Sequence, residues 1–426
     1  MKIAVTVQRY GADVSGGAEL HARYIAERLA RHAEVEVLTT CATDYITWKN
    51  ELPAGPGKVN GVLVRRFPVS RPRNTDDFGR RSKQVFERVH SIADELKWLD
   101  SEGPTSPALI RHIRAVRDQF DFFVFFSYRY YHAWHGARAV PDKAVLVPTA
   151  ERDPAAGLSI FRSAFRNARA LMYNSFEERA LIQGVSGRQV PGVVVGVGSE
   201  IPERTQPWRF RKKFNVRQPF AIYIGRIDEN KGCRELFSHF ERYAVMYPQG
   251  LNLVLVGSKV IDVPSHPRMR YVGFLSDEDK FDALAAADVL IMPSTYESLS
   301  MVALEAWALG KPVLANGKCD VLRGQCVRSN GGLYYDTFEE FAEALYALEG
   351  AGPLAVPLGR NGREFFKRHY TWPVIEKKYL DTFDRLKREP RTEAAEALPG
   401  WFARRRRDVP PSNEIVAAVP AGPVVR

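Results

Sequence analysis

The amino-acid sequence predicts an α/β protein with two Rossmann-like domains that face each other across a cleft. The chain has 426 residues, too many for one ordinary domain and about right for two. Strand-like and helix-like segments alternate along it, which is typical of a mostly parallel sheet covered by helices on both faces. The alternation begins near Lys2 and begins again near Phe220, so each half is expected to form its own sheet.

In the N-terminal half, short apolar runs predict the strands and amphipathic segments predict the helices between them. Strands are expected at residues 2–7, 35–40, 62–67, 122–126, 144–147, 171–173 and 193–195. Helices are expected from residue 18, in the stretch that ends at residue 98, and over residues 107–117. Together these elements assign residues 1–198 to an N-terminal domain.

The C-terminal half repeats this alternation after a segment, residues 196–202, whose glycines and proline suit a hinge. Strands are expected at residues 220–224, 253–256, 289–292 and 312–314, with a helix over 233–247. A C-terminal domain is therefore expected over residues 199–372. A last amphipathic helix, residues 373–388, is expected to pack back on the N-terminal domain. Residues 389–426 are rich in Pro, Ala, Arg and Glu and are expected to form a disordered basic tail.

Charge, cysteine spacing and apolar runs indicate which partners and which cellular location to expect. The formal net charge of +11 favours anionic partners, namely nucleotide phosphates, an anionic membrane face or nucleic acid. The four cysteines form no C-x-x-C pair, so neither a zinc site nor a disulfide framework is expected. The first residues lack the apolar region of an export signal, and no apolar run is long enough to span a bilayer. We therefore expect a cytoplasmic protein.

Residues 292–312 are the most informative stretch. A buried strand is expected at its start, followed by a helix that begins near Ser300 and stops at Gly310, a residue type favoured at helix C-termini. The N–H groups of Leu299, Ser300 and Met301 would then point at an anion beyond the strand. The helix dipole would favour a phosphate there.

Two glutamates, Glu297 and Glu305, flank this helix start with E-x7-E spacing. Glu305 could accept hydrogen bonds from vicinal hydroxyls such as those of a ribose. Glu297 could hold a second polyol at the other end of a diphosphate. The alternative is a capped helix with two solvated glutamates.

A second stretch, Gly225 to Gly232, directly follows the apolar run that ends at residue 224. Its cations Arg226 and Lys231 would bracket a loop at another strand end. Two fixed cations beside a helix N-terminus can clamp a diphosphate and stabilise charge on a departing nucleotide. The alternative is a pair of ordinary surface cations.

Taken together, these two stretches resemble the family 4 retaining glycosyltransferases of GT-B fold, also known as glycosyl transferases group 1. That family has a G-R-x-x-x-x-K-G loop and an E-x7-E element in its C-terminal domain. Here they are residues 225–232 and 297–305, followed by a matching A-x-A-x-G-x-P-V run at 306–313. The resemblance covers roughly residues 1–388.

The resemblance implies a role for each motif residue. Arg226 and Lys231 would contact the donor diphosphate, Glu297 the sugar hydroxyls and Glu305 the ribose. Many family members have a G-F-G-type segment after the first glutamate, whereas this chain has residues 298–300 as Ser-Leu-Ser. That departure removes any inference about which sugar is bound, but it leaves the backbone contacts in place.

The N-terminal half adds candidates for the opposite wall of the cleft. Gly16 and Gly17 lie between the first strand and a helix, where glycines let the backbone approach a phosphate, and the family has a similar loop. A simple turn is the alternative. The family often places a histidine or another polar group near the reacting anomeric carbon. The corresponding place here offers Glu151 and Asp153, which either act there or cap a turn and pair with Arg152.

Two further features are weaker. His132 and His135 could line the acceptor side or be structural. Four arginines at positions 404–407 follow an aromatic pair and could touch anionic lipid headgroups near a lipid-linked acceptor, or could be a solvated charge run.

The reaction implied by the resemblance is transfer of a sugar from a nucleoside diphosphate sugar to an acceptor hydroxyl, with retention of anomeric configuration. Bacterial polysaccharide or glycolipid synthesis is the expected context. The nucleotide sugar is a co-substrate, and no cofactor or metal is expected because no Asp-x-Asp lies at a predicted strand end. The alternatives are a sugar-nucleotide epimerase of the same fold and, more remotely, a nucleic-acid-binding protein. A dinucleotide-dependent oxidoreductase fits poorly because no G-x-G-x-x-G opens either half.

Overall fold

The computed structural model describes residues 1–14, 16–187, 189–350, 352–389 and 412–419. They form two α/β units, each built on one sheet. The predicted fold class is thus observed. The tetra-arginine segment lies outside the described residues.

The N-terminal sheet has eight strands in the order β3-β4-β2-β1-β5-β6-β7-β8, and every neighbouring pair is parallel except β3 and β4. The strands are β1 (Lys2–Thr6), β2 (Glu34–Thr40), β3 (Gly55–Val59), β4 (Val62–Phe67), β5 (Phe122–Phe126), β6 (Ala144–Val147), β7 (Ala170–Tyr173) and β8 (Gly192–Val194). Its α-helices are α1 (Gly17–Leu29), α2 (Thr75–Glu87), α3 (Ile92–Glu102), α4 (Pro107–Ala115), α5 (Tyr131–Ala139), α6 (Ser159–Asn167) and α7 (Phe176–Ser186).

The C-terminal sheet has six parallel strands in the order β11-β10-β9-β12-β13-β14. The strands are β9 (Phe220–Ile224), β10 (Asn252–Val256), β11 (Met269–Gly273), β12 (Val289–Met292), β13 (Val313–Asn316) and β14 (Gly332–Tyr335). The helices are α8 (Pro207–Lys213), α9 (Cys233–Met246), α10 (Asp277–Ala286), α11 (Met301–Ala308), α12 (Asp320–Ser329), α13 (Phe338–Ala347) and α14 (Ala355–His369). Helices α15 (Trp372–Arg388) and α16 (Ser412–Ala417) follow.

Each sheet changes its winding direction once, between β1 and β5 in the first sheet and between β9 and β12 in the second. Loops that leave the carboxyl ends of two such neighbouring strands diverge and leave a crevice where ligands of open α/β sheets bind. The loop after β9 contains Arg226 and Lys231, and the loop after β12 contains Glu297. The fold therefore brings the two predicted motifs to one crevice.

The helix α15 returns to the N-terminal sheet. Phe383 on α15 stacks on Phe122 of β5, with ring centroids 4.9 Å apart, and both rings are buried. The Lys378 ammonium donates to the Val195 carbonyl at 3.0 Å. Because the chain reaches α15 only after the whole C-terminal sheet, this helix ties the two units together.

Ion pairs also cross between the two units at the mouth of the cleft. Arg152 after β6 pairs with Asp320 at the start of α12 at 2.8 Å. Arg328 at the other end of α12 pairs with Glu177 on α7. These exposed pairs are weak individually, but both set α12 beside the N-terminal domain.

Candidate active site

In the loop after β9, the buried carboxylate of Asp228 accepts hydrogen bonds from both cationic residues, Arg226 and Lys231. One carboxylate oxygen of Asp228 accepts from the Arg226 guanidinium, and the other accepts from the Lys231 backbone N–H at 2.9 Å. Asp228 is only 5% exposed. Sequence analysis did not single it out, because its role depends on the turn that the loop makes.

Gly232 sets how closely this loop approaches the loop after β12. It has φ of 74°, and an added Cβ would lie 2.1 Å from the Pro293 carbonyl oxygen. A side chain at residue 232 would therefore push the two loops apart.

This close approach joins the two motifs through an ion pair. The Lys231 ammonium lies 2.8 Å from a carboxylate oxygen of Glu297. Burial disfavours the ammonium, but the carboxylates of Glu297 and Glu151 outweigh that effect and raise the pKa of Lys231. Lys231, which is predicted to bind phosphate, thus forms an ion pair with Glu297, which is predicted to bind the sugar.

The segment that starts α11 presents backbone donors. Ser300 is the N-cap, and its side chain accepts from the Ala303 N–H. Its own φ of 71° is uncommon for a residue with a side chain. Among the described residues, the N–H groups of Leu299, Ser300 and Met301 have no acceptor, so they remain available to an anion.

Glu305 lies inside α11 and is only 3% exposed, which differs from the solvated glutamate of the alternative interpretation. One of its oxygens, Oε1, accepts from the Ser199 hydroxyl at 2.7 Å and from the Lys280 ammonium at 3.1 Å. The other oxygen, Oε2, is buried and has no hydrogen-bond partner among the described residues. A buried carboxylate oxygen without a donor is costly, so a ligand hydroxyl at this position would satisfy it.

Across the cleft, Gly16 and Gly17 open α1. An added Cβ at Gly16, where φ is 146°, would overlap the Glu19 carboxylate, whereas at Gly17 it would meet open space. Glu19 forms a buried ion pair with Arg9, whose guanidinium lies 5.7 Å from the ring centroid of Tyr45.

Tyr45 also contacts the loop after β9, which contains Arg226 and Lys231. Its hydroxyl accepts from Arg226 at 3.3 Å. The Gly-Gly loop and the predicted phosphate cations are therefore linked across the cleft through Arg9 and Tyr45.

The two carboxylates after β6 have different surroundings. Asp153 is fully engaged, because it accepts from Arg129 at 2.8 Å, from the Tyr128 hydroxyl at 3.1 Å and from the Ala156 N–H at 3.1 Å. It pairs with Arg129 rather than with Arg152. These bonds are those of a residue that caps the 3₁₀ helix Pro154–Gly157.

Glu151 has no hydrogen bond or ion pair among the described residues and lines a crevice with Glu297. Burial raises the pKa of its carboxyl to about 7, and Glu297 and Asp153 add to this while Lys231 opposes it. Of the two carboxylates, Glu151 is the one free to meet a substrate.

Backbone strain is concentrated around the cleft. Among the described residues, seven non-glycine residues have positive φ, and three of them are asparagines, which tolerate it. The other four lie in loops that follow β2, β5, β6 and β12; they are Trp48, Ser127, Thr149 and Ser300. Thr149 also donates to the Ser127 hydroxyl at 3.0 Å. Such strain is typical of functional sites.

The two histidines considered for the acceptor side are enclosed. His132 is fully buried and bonds to the Phe126 carbonyl at 3.0 Å, and burial lowers its pKa to about 3. His135 packs between Tyr131 and Trp134, and burial lowers its pKa to about 4. Both therefore stay neutral near neutral pH and take part in packing.

The described part of the chain has neither a metal-binding cluster of side chains nor a helix suited to cross a membrane. No group of three or more His, Cys, Asp and Glu side chains is arranged to hold a metal ion. None of its helices combines the length and apolar character needed to cross a membrane.

Comparison with known proteins shows which glycosyltransferases this chain is similar to. Residues 218–349 match the family model described as Glycosyl transferases group 1. A D-inositol 3-phosphate glycosyltransferase of Corynebacterium urealyticum is 24% identical over 93% of this chain and 97% of its own length. A phosphatidyl-myo-inositol mannosyltransferase of Propionibacterium freudenreichii is 33% identical, over 29% of this chain and 32% of its own.

Solved structures share the whole architecture. Sucrose-phosphate synthase from Thermosynechococcus elongatus has a TM-score of 0.65 at 19% identity, over 91% of this chain and 99% of that one. HepE of Anabaena in complex with UDP-glucose has a TM-score of 0.65 at 17% identity, over 90% and 100%. The GT-B fold and the resemblance to group 1 glycosyltransferases are thereby confirmed, and membership of family 4 in particular stays a prediction.

Proposed function

We propose that this chain, a glycosyltransferase of GT-B fold, transfers a hexosyl group from a nucleoside diphosphate sugar to a sugar or lipid-linked acceptor hydroxyl, with retention of anomeric configuration and without a metal ion. The stereochemistry follows from the family resemblance. The use of a nucleoside diphosphate sugar as donor is supported by the side chains and backbone donors of the cleft.

The observation that carries the proposal is the buried Glu305 with one oxygen unpartnered. It lies in the helix whose first N–H groups have no acceptor, beside the loop that holds Arg226 and Lys231. A nucleoside diphosphate offers matching groups in the same order, with ribose hydroxyls for Glu305 and phosphates for the N–H groups and cations.

During transfer, the bond between the anomeric carbon and the phosphate oxygen breaks and the acceptor oxygen bonds to that carbon. Negative charge develops on the departing diphosphate. Arg226, Lys231 and the helix N–H groups would stabilise it from fixed positions, so little reorganisation is needed at that moment. The acceptor hydroxyl loses its proton as its oxygen bonds to the anomeric carbon, and the ionised Glu151 carboxylate would take that proton.

Donor binding requires Lys231 to exchange partners. In the structure, its ammonium is paired with the Glu297 carboxylate. A diphosphate would attract the ammonium and release the Glu297 carboxylate, which could then accept hydrogen bonds from the sugar hydroxyls. The Lys231–Glu297 ion pair would thus keep one residue close to the diphosphate position and the other close to the sugar position.

The first test is a thermal-shift screen against nucleoside diphosphates and their sugar conjugates, because a ligand that binds the folded state raises its stability. UDP and UDP-glucose come first, since HepE, a structural neighbour, was solved with both. A rise in Tm with at least one conjugate is expected, and no shift with any member of the panel would contradict the proposal.

The second test is turnover of that donor with and without excess chelator. We expect equal rates, because cations and amides of the chain supply the phosphate contacts. Loss of activity in chelator that manganese or magnesium restores would refute metal independence. Donor conversion without any acceptor would instead indicate an epimerase.

A further inference from the structure

Two residues outside both motifs, Ser199 and Lys280, contact the predicted ribose-binding carboxylate of Glu305. Ser199 lies in the hinge between β8 and α8, is 5% exposed, and donates its hydroxyl to Glu305 Oε1 at 2.7 Å. With Lys280 on the same oxygen, Ser199 leaves Oε2 as the one free position of the carboxylate. Its hydroxyl therefore fixes which oxygen faces a ligand.

The hinge segment is also held from other directions. An added Cβ at Gly198 would fall 2.8 Å from the Trp372 ring of α15. The next side chain along, Glu200, pairs with Arg28 on α1. Arg28 lies 4.7 Å from the Trp372 ring centroid and also pairs with Glu376 on α15.

These contacts connect the hinge with both walls of the cleft. Helix α1 begins at Gly17 in the Gly-Gly loop and has Arg28 in its last turn, so the loop and the hinge lie at opposite ends of one helix. On the other side, Ser199 contacts the donor domain through Glu305. A change in the position of residues 198–200 would therefore alter both the carboxylate and the helix.

We propose that Ser199 is a positioning residue that orients Glu305 for the ribose and couples occupancy of the nucleoside site to the conformation of the hinge. The proposal rests on the proposed nucleotide-sugar function. A ribose hydroxyl on Oε2 fixes the Glu305 carboxylate, and the Ser199 hydrogen bond then restrains the hinge. By linkage, the same bond makes the hinge contribute to nucleoside affinity.

The test of positioning is a double-mutant cycle on UDP affinity, measured by calorimetry with the full chain. Ser199→Ala should raise the Kd for UDP about three- to tenfold, the effect of losing one ordinary hydrogen bond, because Lys280 still holds the Glu305 carboxylate. In a Glu305→Gln background the same substitution should change the Kd less than twofold, because Ser199 acts through the carboxylate. Inhibition by pyrophosphate, which has no ribose, should not change.

Ser163→Ala is the matched control, since Ser163 is also buried, and its hydroxyl donates to the Ile160 carbonyl within α6 and accepts from Arg138 at 3.4 Å, far from Glu305 in the chain. It should leave the Kd for UDP unchanged. An equal loss from Ser199→Ala in both backgrounds, or no loss in either, would overturn the positioning role.

Coupling to the hinge is tested by hydrogen exchange of the amides in residues 194–202. Saturating UDP should slow exchange there in the natural protein and in Ser163→Ala, but not in Ser199→Ala. Equal protection in Ser199→Ala, or none in the natural protein, would overturn the coupling. If the natural protein binds no nucleoside diphosphate, the proposed function itself fails, whereas normal UDP binding with an inert Ser199 refutes this inference alone.

Discussion

At the scale of single residues, each cation of the predicted donor site is paired with a carboxylate. Lys231 is paired with Glu297, and Arg226 is paired with Asp228. Half-buried cations without such partners would be destabilised by their mutual repulsion and by desolvation. Carboxylates that a diphosphate can displace avoid this cost and still leave the cations in place.

This exchange predicts opposite effects for the two motif glutamates. Glu297→Gln should lower kcat/KM for the donor about ten- to a hundredfold, because a charge-assisted contact with the sugar is lost. Its affinity for UDP should stay the same or rise, since Lys231 loses its competing partner. Donor kinetics beside UDP calorimetry measure both quantities.

Glu305→Gln should do the reverse and weaken UDP binding itself by about tenfold. Glutamine is the better substitution here, because it keeps an oxygen that can accept from Lys280, whereas Glu305→Ala would leave Lys280 with the exposed Asp277 as its ion-pair partner. Near-natural values of both quantities in both variants would mean that the E-x7-E spacing marks only a helix start.

Glu151 makes a prediction about pH. Its folded-state pKa is raised to about 7 from an ordinary value of 4.5, so the folded protein binds an extra proton between these two pH values. The stability linked to this proton is complete below about pH 4.5 and is lost as the pH rises through 7. Glu151→Gln removes this dependence, so its Tm relative to the natural protein should rise by about 1–3 °C between pH 5 and pH 8.

The same variant should lose most of its transferase activity, which separates a functional from a structural role. Asp153→Asn is the comparison, because that carboxylate is engaged by Arg129, Tyr128 and Ala156 and should affect stability first. If Glu151→Gln keeps full activity at every pH, Glu151 does not meet the acceptor.

Sequence reasoning identified the residues of the motifs but not the residues that hold them. Arg226, Lys231, Glu297 and Glu305 follow strand ends or start helices, and those positions can be read from local patterns. Ser199 contacts Glu305 from 106 positions away in the chain. No local pattern reports such a contact, and the same holds for Lys280.

At the scale of elements, the central strands were predictable, whereas three of the four edge strands were not. The strands Val62–Phe67, Phe122–Phe126, Phe220–Ile224 and Val289–Met292 have the predicted bounds, since a buried parallel strand is a continuous apolar run. The strands Gly55–Val59, Met269–Gly273 and Gly332–Tyr335 were not predicted. They lie at sheet edges, where one side is unpaired and glycine, proline and charged residues interrupt the pattern.

Gly232 gives a prediction for the contact between the two donor loops. Gly232→Ala adds a Cβ 2.1 Å from the Pro293 carbonyl oxygen and places an alanine at φ of 74°. Both effects should separate the loops, weaken the Lys231–Glu297 pair, and lower the free energy of unfolding by at least about 1 kcal/mol.

Gly79→Ala is the matched control in α2, because an added Cβ there meets nothing within 4 Å. Replacing a helical glycine should hold or slightly raise the Tm and leave UDP affinity unchanged. Thermal unfolding and calorimetry measure both. If Gly232→Ala has the same Tm and UDP affinity as the natural protein, the two loops can separate without a loss of stability or binding.

At the scale of the whole molecule, exposed ion pairs, the hinge segment and helix α15 connect the two units, and they differ in strength. The exposed pairs Arg152–Asp320 and Arg328–Glu177 are screened by salt and can open. The hinge is glycine-containing and short. Helix α15 alone buries large apolar side chains, among them Ile375, Tyr379 and Phe383, so it holds the C-terminal part of the chain on the N-terminal domain.

The difference between α15 and the residues that follow it predicts the outcome of truncation. Truncation after Glu389 removes a segment whose composition cannot bury a core, so the Tm should change by less than about 2 °C. Truncation after Tyr370 removes α15 and exposes Phe122 and its neighbours, so this shorter chain should aggregate or unfold. If the tetra-arginine segment binds anionic lipid, the first truncation should also bind vesicles that contain phosphatidylserine more weakly, while its UDP affinity stays unchanged. A loss of many degrees after the first truncation would show that residues 390–426 dock on the folded domains, and equal vesicle binding would assign any membrane contact to the described domains.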